Sequence, residues 1–314
     1  MNPMLQIEGL TKRFGSFVAV DNISFNVSCG EVLGFLGPNG AGKTTAMRMV
    51  TGFLTPTAGT AYVGGHDVTK APLAVKRSIG YLPEGAPLYE DMTPAELLDF
   101  IANVRGLAGV KKQNAISKAA DRINIEHVMH QSIGTLSKGY KRRVGIAQAI
   151  LHDPEILILD EPTDGLDPNQ KHEVRKLINE MAKEKAIVIS THLLDEVDTV
   201  CSRALVIANG EIVADGTPAD LEARSELHNA VTLRISVEQS GQGKAAIESI
   251  ESVNRVVEGN TDGSSITYTV YPSGGQVIID EISGALRNAS VEVKEIQAER
   301  GRLDEVFRRI TTMD

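Results

Sequence analysis

No apolar run in the 314 residues approaches the roughly 20 needed to span a bilayer. The N-terminal stretch MNPMLQIEGLTKRFG lacks the apolar core of a secretory signal. Cysteine is scarce. Cys29 and Cys201 form no metal-ligand spacing, and so sparse a set suits a reducing compartment. Positive charge is in deficit, with 32 Lys+Arg against 41 Asp+Glu and a net charge of -9. That balance argues against a nucleic-acid partner bound by broad phosphate neutralisation. There is no low-complexity run and no internal repeat. These absences lead to the expectation of a cytosolic chain that reaches a membrane only through a partner. What is present is ordinary globular material, 42% hydrophobic and 23% charged, long enough for two domains.

Short β-branched apolar runs recur as EVLGFLG, SIGYLP, EILILDEP, AIVISTH, RALVIANG and EIVADG. They are near-continuous rather than alternating, as expected of strands buried on both faces of a parallel sheet. Helical patterns lie between them, as in QKHEVRKLINEMAKEKA, so the fold class is α/β. From about Thr93 to Leu151 strands vanish, and a helical insertion interrupts the α/β body. The first domain closes near residue 222. Residues 223–314 then read strand, helix, strand, strand, helix, strand, the order of a ferredoxin-like α+β module. In the last stretch, LDEVFRRI, Leu303, Val306, Phe307 and Ile310 make one apolar helical face, expected to pack within the chain.

GPNGAGKTT follows a strand and opens an apolar-periodic helix, the context that makes G-x-x-x-x-G-K-[ST] a phosphate-binding loop. Gly37, Pro38, Asn39, Gly40, Ala41 and Gly42 let the backbone wrap close, so N–H groups and the helix N-terminus face negative charge. Lys43 is expected at the β- and γ-phosphates of ATP, Thr44 on Mg²⁺ and Thr45 at the α-phosphate. EILILDEP ends its strand in two carboxylates, where sites form in open α/β sheets. Asp160 is expected to hold Mg²⁺ through water, and Glu161 to act as general base on the attacking water. His192 closes AIVISTH, where an imidazole can meet a γ-phosphate oxygen and orient Glu161.

TLSKGYKRRVG admits two readings. One is a capped surface helix whose basic residues Lys141, Arg142 and Arg143 are solvated. The other is a second anion-binding helix start, with Ser137 as N-cap and Gly139 admitting a ligand to the backbone. One loop needs only one nucleotide, so the second reading implies that two molecules share each ATP.

In that order these motifs resemble the nucleotide-binding subunit of ATP-binding cassette (ABC) transporters, over about residues 4–220. LSKGY is similar to the family's signature LSGGQ, GLDP to its D-loop with Asp167, and STH to its switch histidine. TKRFG places Phe14 where the family stacks an aromatic on adenine, and YLPE places Glu84 at the Q-loop. Glu84 stands for the usual Gln, Lys138 for a Gly and Tyr140 for a Gln. Glu84 has nearly the shape of Gln, so the resemblance still implies a metal contact there, with one negative charge added. Ser137 and Gly139 resemble the family's contacts to the partner's γ-phosphate, and Lys138 either adds to that grip or points to solvent. YLPE together with LSKGYKRRVG is similar to the ATPases of ABC-2-type exporters, including gliding-motility and copper-processing types. The resemblance implies ATP hydrolysis, a head-to-tail homodimer, integral membrane permease subunits, and a place on the cytoplasmic face of the inner membrane. Two alternatives share the motifs: a soluble ABC-type ATPase acting on ribosomes or DNA, and a non-hydrolytic nucleotide-gated interaction module.

Overall fold

The structure, a computed structural model, describes residues 3–85 and 88–311. Two compact units divide the chain, Met1–Pro218 and Ala219–Asp314. Among the described residues no helix is long and apolar enough to cross a membrane.

The first unit opens with an antiparallel pair, β1 (Leu5–Phe14) and β2 (Phe17–Val27), then β3 (Val32–Leu36) and α1 (Lys43–Val50). Next come β4 (Ala58–Val63), β5 (His66–Asp67), α2 (Pro72–Ser78) and β6 (Ile79–Leu82). Three helices follow without an intervening strand among the described residues: α3 (Pro94–Val104), α4 (Gly109–Arg122) and α5 (Lys138–Ile150). The unit continues through β7 (Ile156–Asp160), α6 (Pro168–Ala182), β8 (Ala186–Thr191), α7 (Leu194–Val200), β9 (Arg203–Ala208) and β10 (Glu211–Gly216). α8 (Pro218–Glu222) lies at the boundary.

The main sheet runs β10-β9-β3-β8-β7-β6 and is parallel except for β10. Every residue of β3, β7 and β8 is buried, as strands covered on both faces must be. EIVADG departs from that expectation: β10 is an antiparallel edge strand and mostly exposed. Asn209 and Gly210, at φ 50° and 83°, turn the chain back as a tight hairpin, so β10 needs no buried crossover. A second sheet, β2-β1-β4-β5, is absent from the sequence reading altogether. Its strands are half-buried and alternating; in β2, Ile23, Phe25 and Val27 are buried while Ser24 and Asn26 are exposed. Both sheets and α1 share one apolar core, in which Ile7, Val20, Phe35, Met47, Ile158 and Leu205 are buried.

The second unit holds β11 (Val231–Ser236), α9 (Ser240–Glu248), β12 (Val253–Asp262), β13 (Ser265–Pro272), α10 (Ile279–Asn288) and β14 (Val293–Ala298). Its sheet is fully antiparallel in the order β12-β13-β11-β14, so the first and third strands are central. That arrangement is the ferredoxin-like one. Leu233, Ile235, Tyr268, Ile282 and Leu286 fill its core. α11 (Leu303–Thr311) buries Leu303 and Val306 and leaves Phe307 and Ile310 partly covered. The Glu305 carboxylate accepts from the Ser225 hydroxyl at 2.6 Å.

Gly80 sets how closely α5 lies on β6. A Cβ there would stand 2.2 Å from the Ala149 carbonyl oxygen and 2.8 Å from Pro154 Cγ. Gly80→Ala therefore forces α5 and the sheet apart, at a cost of about 1–3 kcal/mol. Thermal unfolding of the variant is expected to begin several degrees below that of the parent.

Candidate functional site

The turn from β3 into α1 is held by neighbouring backbone. Gly42 is left-handed at φ 107°, and a Cβ on it would stand 2.4 Å from the Ala19 carbonyl oxygen. One on Gly37 would stand 2.5 Å from that of Ile207. The β9–β10 turn fastens the far side: Gly210 N–H donates to the Ala41 carbonyl at 3.1 Å. α1 has no side-chain cap, so its first N–H groups keep no internal partner. They are available to an anion.

Asn39, Gly40, Gly42, Lys43, Thr44 and Thr45 line a cleft of about 390 Å³, faced by Glu84, Asp160 and Glu161. Gly37, Pro38 and Ala41 stand behind this wall; the first two offer carbonyls to Lys43 Nζ at 2.6 and 3.1 Å. Lys43 is 7% exposed, and burial lowers its pKa while Glu161, Asp160 and Glu84 oppose that shift.

Parallel strands β7 and β8 end side by side and deliver the remaining groups. Burial raises the Asp160 pKa; the Ser190 hydroxyl opposes that shift, Glu84 adds to it, and Lys43 opposes it. Glu161 sits at φ 51°, a costly region for a residue with a side chain, and its N–H donates to the Ser190 carbonyl at 2.8 Å. This twist brings Glu161 Oε1 to 2.8 Å from His192 Nδ1. Asp160 Oδ2 and Glu161 Oε2 are buried without a hydrogen-bond partner. Two orphaned carboxylate oxygens beside a threonine fit a cation or a reacting water.

Other expected residues are placed differently. Phe14 and Phe17 face each other across the β1–β2 turn, but Phe17 and Ala19 line the cleft and Phe14 does not. Lys12 Nζ stands 5.2 Å from the Phe14 ring centre instead. Phe17 lies outside the TKRFG motif, so the motif alone does not point to it. The signal available was a second aromatic three residues on, at the start of a strand.

Ser137, Lys138, Gly139 and Asp167 do not line this cleft. Ser137 caps α5 by accepting from Tyr140 N–H at 3.3 Å. Gly139 is packed by its own chain, since a Cβ there would meet Gln170 Oε1 at 2.3 Å. Asp167 caps α6, accepting from Gln170 N–H at 2.9 Å. Lys138 is exposed and makes no ion pair among the described residues.

The basic run is neither solvated nor aimed at an anion. Lys141 pairs with Glu90 at 2.8 Å and Arg143 with Glu173 at 2.6 Å; Arg142 lies 3.9 Å from Asp164. Of the four cations at this helix start, Lys138 alone has no carboxylate partner among the described residues.

The raised pKa of Asp160 means that the folded chain holds its proton more tightly than the unfolded chain does. Stability from that group is complete at low pH and is lost as pH rises through the folded pKa. Asp160→Asn is expected to raise the melting temperature at neutral pH by about 2 °C or more. The gain should vanish below about pH 4, where both side chains are neutral.

Comparison with known proteins matches the ABC transporter family over residues 20–164. An uncharacterized ABC transporter ATP-binding protein, YxlF of Bacillus subtilis, is 39% identical over 76% of this chain and 79% of its own length. The daunorubicin/doxorubicin resistance ATP-binding protein DrrA of Streptomyces peucetius is 32% identical over 98% of this chain and 92% of its own. A solved ATP-binding subunit of an ABC transporter superposes with a TM-score of 0.65 at 30% identity, covering 70% of this chain and 92% of that one. The cleft and these likenesses agree: the chain belongs to the ATP-binding proteins of ABC transporters, subunits that bind and hydrolyse ATP to power transport.

Proposed function

We propose that two copies of this chain pair head to tail, each ATP lying between the Lys43 loop of one and the Ser137 helix start of the other, to drive an exporter. The catalytic assignment is carried by the 2.8 Å contact that aims Glu161. His192 fixes Oε1 and leaves the orphaned Oε2 to take a proton from water. As that water's oxygen bonds to the γ-phosphorus, its proton passes to Glu161, the bond to the β-phosphate oxygen breaks and ADP leaves. Half-exposed His192 keeps Nε2 for a γ-phosphate oxygen. Lys43 exchanges the carbonyls of Gly37 and Pro38 for the β- and γ-phosphates. Catalysis is then positioning and charge stabilisation.

Among the described residues no three His, Cys, Asp or Glu side chains gather to hold a metal unaided. Thr44, the orphaned oxygen of Asp160 and Glu84 nonetheless fit Mg²⁺ shared with phosphate oxygens, whose charge the ion neutralises when bound. Ser137, Lys138, Gly139 and Asp167 belong to the half-site offered to the partner copy. The exposed apolar side chains Phe53, Leu73, Tyr89 and Phe100 suit docking of a membrane permease on the cytoplasmic face of the inner membrane. DrrA's name points to drug resistance, which supports export of a small toxic molecule. The DNA-acting alternative gains no support: the longest helix among the described residues is α6, with 15 residues, so no long coiled coil is inserted.

Glu161→Gln is expected to bind ATP normally, lose about 10²–10⁴-fold in turnover and accumulate as an ATP-dependent dimer on size exclusion. Rapid steady-state hydrolysis by that variant refutes the base assignment. Adenine stacking on the cleft wall predicts that Phe17→Ala weakens ATP binding by about 1–3 kcal/mol and Phe14→Ala by less, in a nucleotide titration. Co-purification from membranes with a hydrophobic subunit supports the transporter reading; recovery with ribosomes alone sinks it.

A further inference from the structure

Gln170, in the first turn of α6, touches two segments that lie far apart in sequence. Its N–H donates to Asp167 Oδ1 at 2.9 Å, and its Oε1 accepts from the Asp167 N–H at 3.4 Å, a reciprocal capping box. The same side chain lies against α5. A Cβ on Gly139 would stand 2.9 Å from Gln170 Cδ and 3.0 Å from its Nε2, well inside van der Waals separation. Position 139 is therefore glycine for an internal reason: a side chain there would displace the Gln170 amide. A second contact runs beside the first. A Cβ on Gly165 of the GLDP turn would stand 3.7 Å from both Lys138 Cβ and Lys138 Cδ, so the lysine stem passes along that turn. Ser137, Lys138, Gly139, Asp167 and Gln170 are all absent from the lining of the cleft that holds Lys43.

We propose that Gln170 is a positioning residue for ATP hydrolysis: it seats the GLDP turn on the start of α5, so that Asp167 and Ser137–Gly139 meet a second copy as one surface. This rests on the head-to-tail reading. In that reading an ATP held by one copy is closed over by the other, and the closing groups come from two separate segments. Segments that moved independently would both have to be ordered when the copies pair, at a cost in conformational entropy. The Gln170 side chain removes that freedom within the single chain. Its oxygen holds the Asp167 end of the turn, and the body of the amide fills the space that Gly139 leaves. The effect falls on pairing and on the steps that need a paired site. Nucleotide binding by one chain is left alone, because neither Gln170 nor the residues it holds line the cleft.

The test uses the full chain carrying Glu161→Gln, which slows consumption of ATP. Pairing is followed by analytical ultracentrifugation with ATP and Mg²⁺, and binding by titration of the dilute, unpaired chain with the fluorescent nucleotide mant-ATP. Gln170→Ala is expected to weaken pairing about three- to tenfold and mant-ATP binding by less than about twofold. Gln170→Glu keeps an oxygen for the Asp167 N–H and should stay within about twofold of the parent on both measures. With Glu161 intact, Gln170→Ala should lower kcat about three- to tenfold at saturating ATP. A merely structural lesion would weaken mant-ATP binding and pairing together. Unchanged pairing in Gln170→Ala, an equal loss in Gln170→Glu, or a parallel loss of mant-ATP binding overturns the proposal. Should Gln170→Ala not fold, Gln170→Met, which keeps the bulk and drops the acceptor, is held to the same outcomes. A Glu161→Gln chain that never pairs with ATP removes the head-to-tail reading, and the seat is then judged by melting. Gly139→Ala should lower the melting temperature by about 2 °C or more in the parent and by less in Gln170→Ala. Equal lowering in both backgrounds overturns the seat itself.

Discussion

Close backbone approach around the turn from β3 into α1 governs this structure. The Ala19 carbonyl of β2 and the Ile207 carbonyl of β9 stand where side chains on Gly42 and Gly37 would be. Gly210 links both sides, donating to Ala41 and accepting from Asp21 N–H at 2.8 Å. The loop is thus clamped between two sheets, and its shape does not wait for a ligand. The antiparallel sheet is part of that clamp, and the same strand that presses on Gly42 supplies Phe17 and Ala19 to the cleft. Preorganised N–H groups cost nothing to orient when phosphate arrives, which is how such loops bind charge in water.

A clamped loop also fixes where charge accumulates. Lys43 is held among Glu84, Asp160 and Glu161, with two carboxylate oxygens unpartnered and Glu161 in a left-handed backbone. Nearby, Glu196 on α7 is 2% exposed, neither of its oxygens has a hydrogen-bond partner, and its pKa is raised by burial. A core selected for stability alone would replace such groups by apolar ones. Strain and orphaned acids concentrated around one end of the sheet mark a place where stability is given up for a bound nucleotide.

Local signals were legible in the sequence, and relations between distant residues were not. The apolar strands ending in Lys43's loop, Asp160 and His192 could be read because each strand and its terminal residues are contiguous. The ferredoxin-like order could be read because its alternation is regular. β1, β2 and β4 escaped because half-buried strands with bulges, such as the shift between Ile7 and Leu10, interrupt their own period. The exchange of Phe14 for Phe17 has the same origin, since the β1–β2 pairing decides which aromatic meets the cleft. The basic run of α5 was misjudged for a different reason. Its partners Glu90 and Glu173 lie 51 and 30 residues away, beyond any local pattern.

Those partners change what α5 is for. Its three cations tie one helix to four places: Lys141 to the chain before α3, Arg143 to α6, and Arg142 to the loops after β6 and β7. Arg143 also donates to the Ile123 carbonyl at the end of α4, at 3.1 Å. A helix held at so many points moves as part of a block. Its N-terminus carries Ser137 and Lys138, both exposed. Force applied at that end reaches Pro83, next to Glu84, and Asp164, next to the GLDP turn, without any new contact forming. The cations thus give the helix start something stronger than local charge: a rigid connection to the loops after β6 and β7, on which Glu84 and Glu161 of the cleft stand.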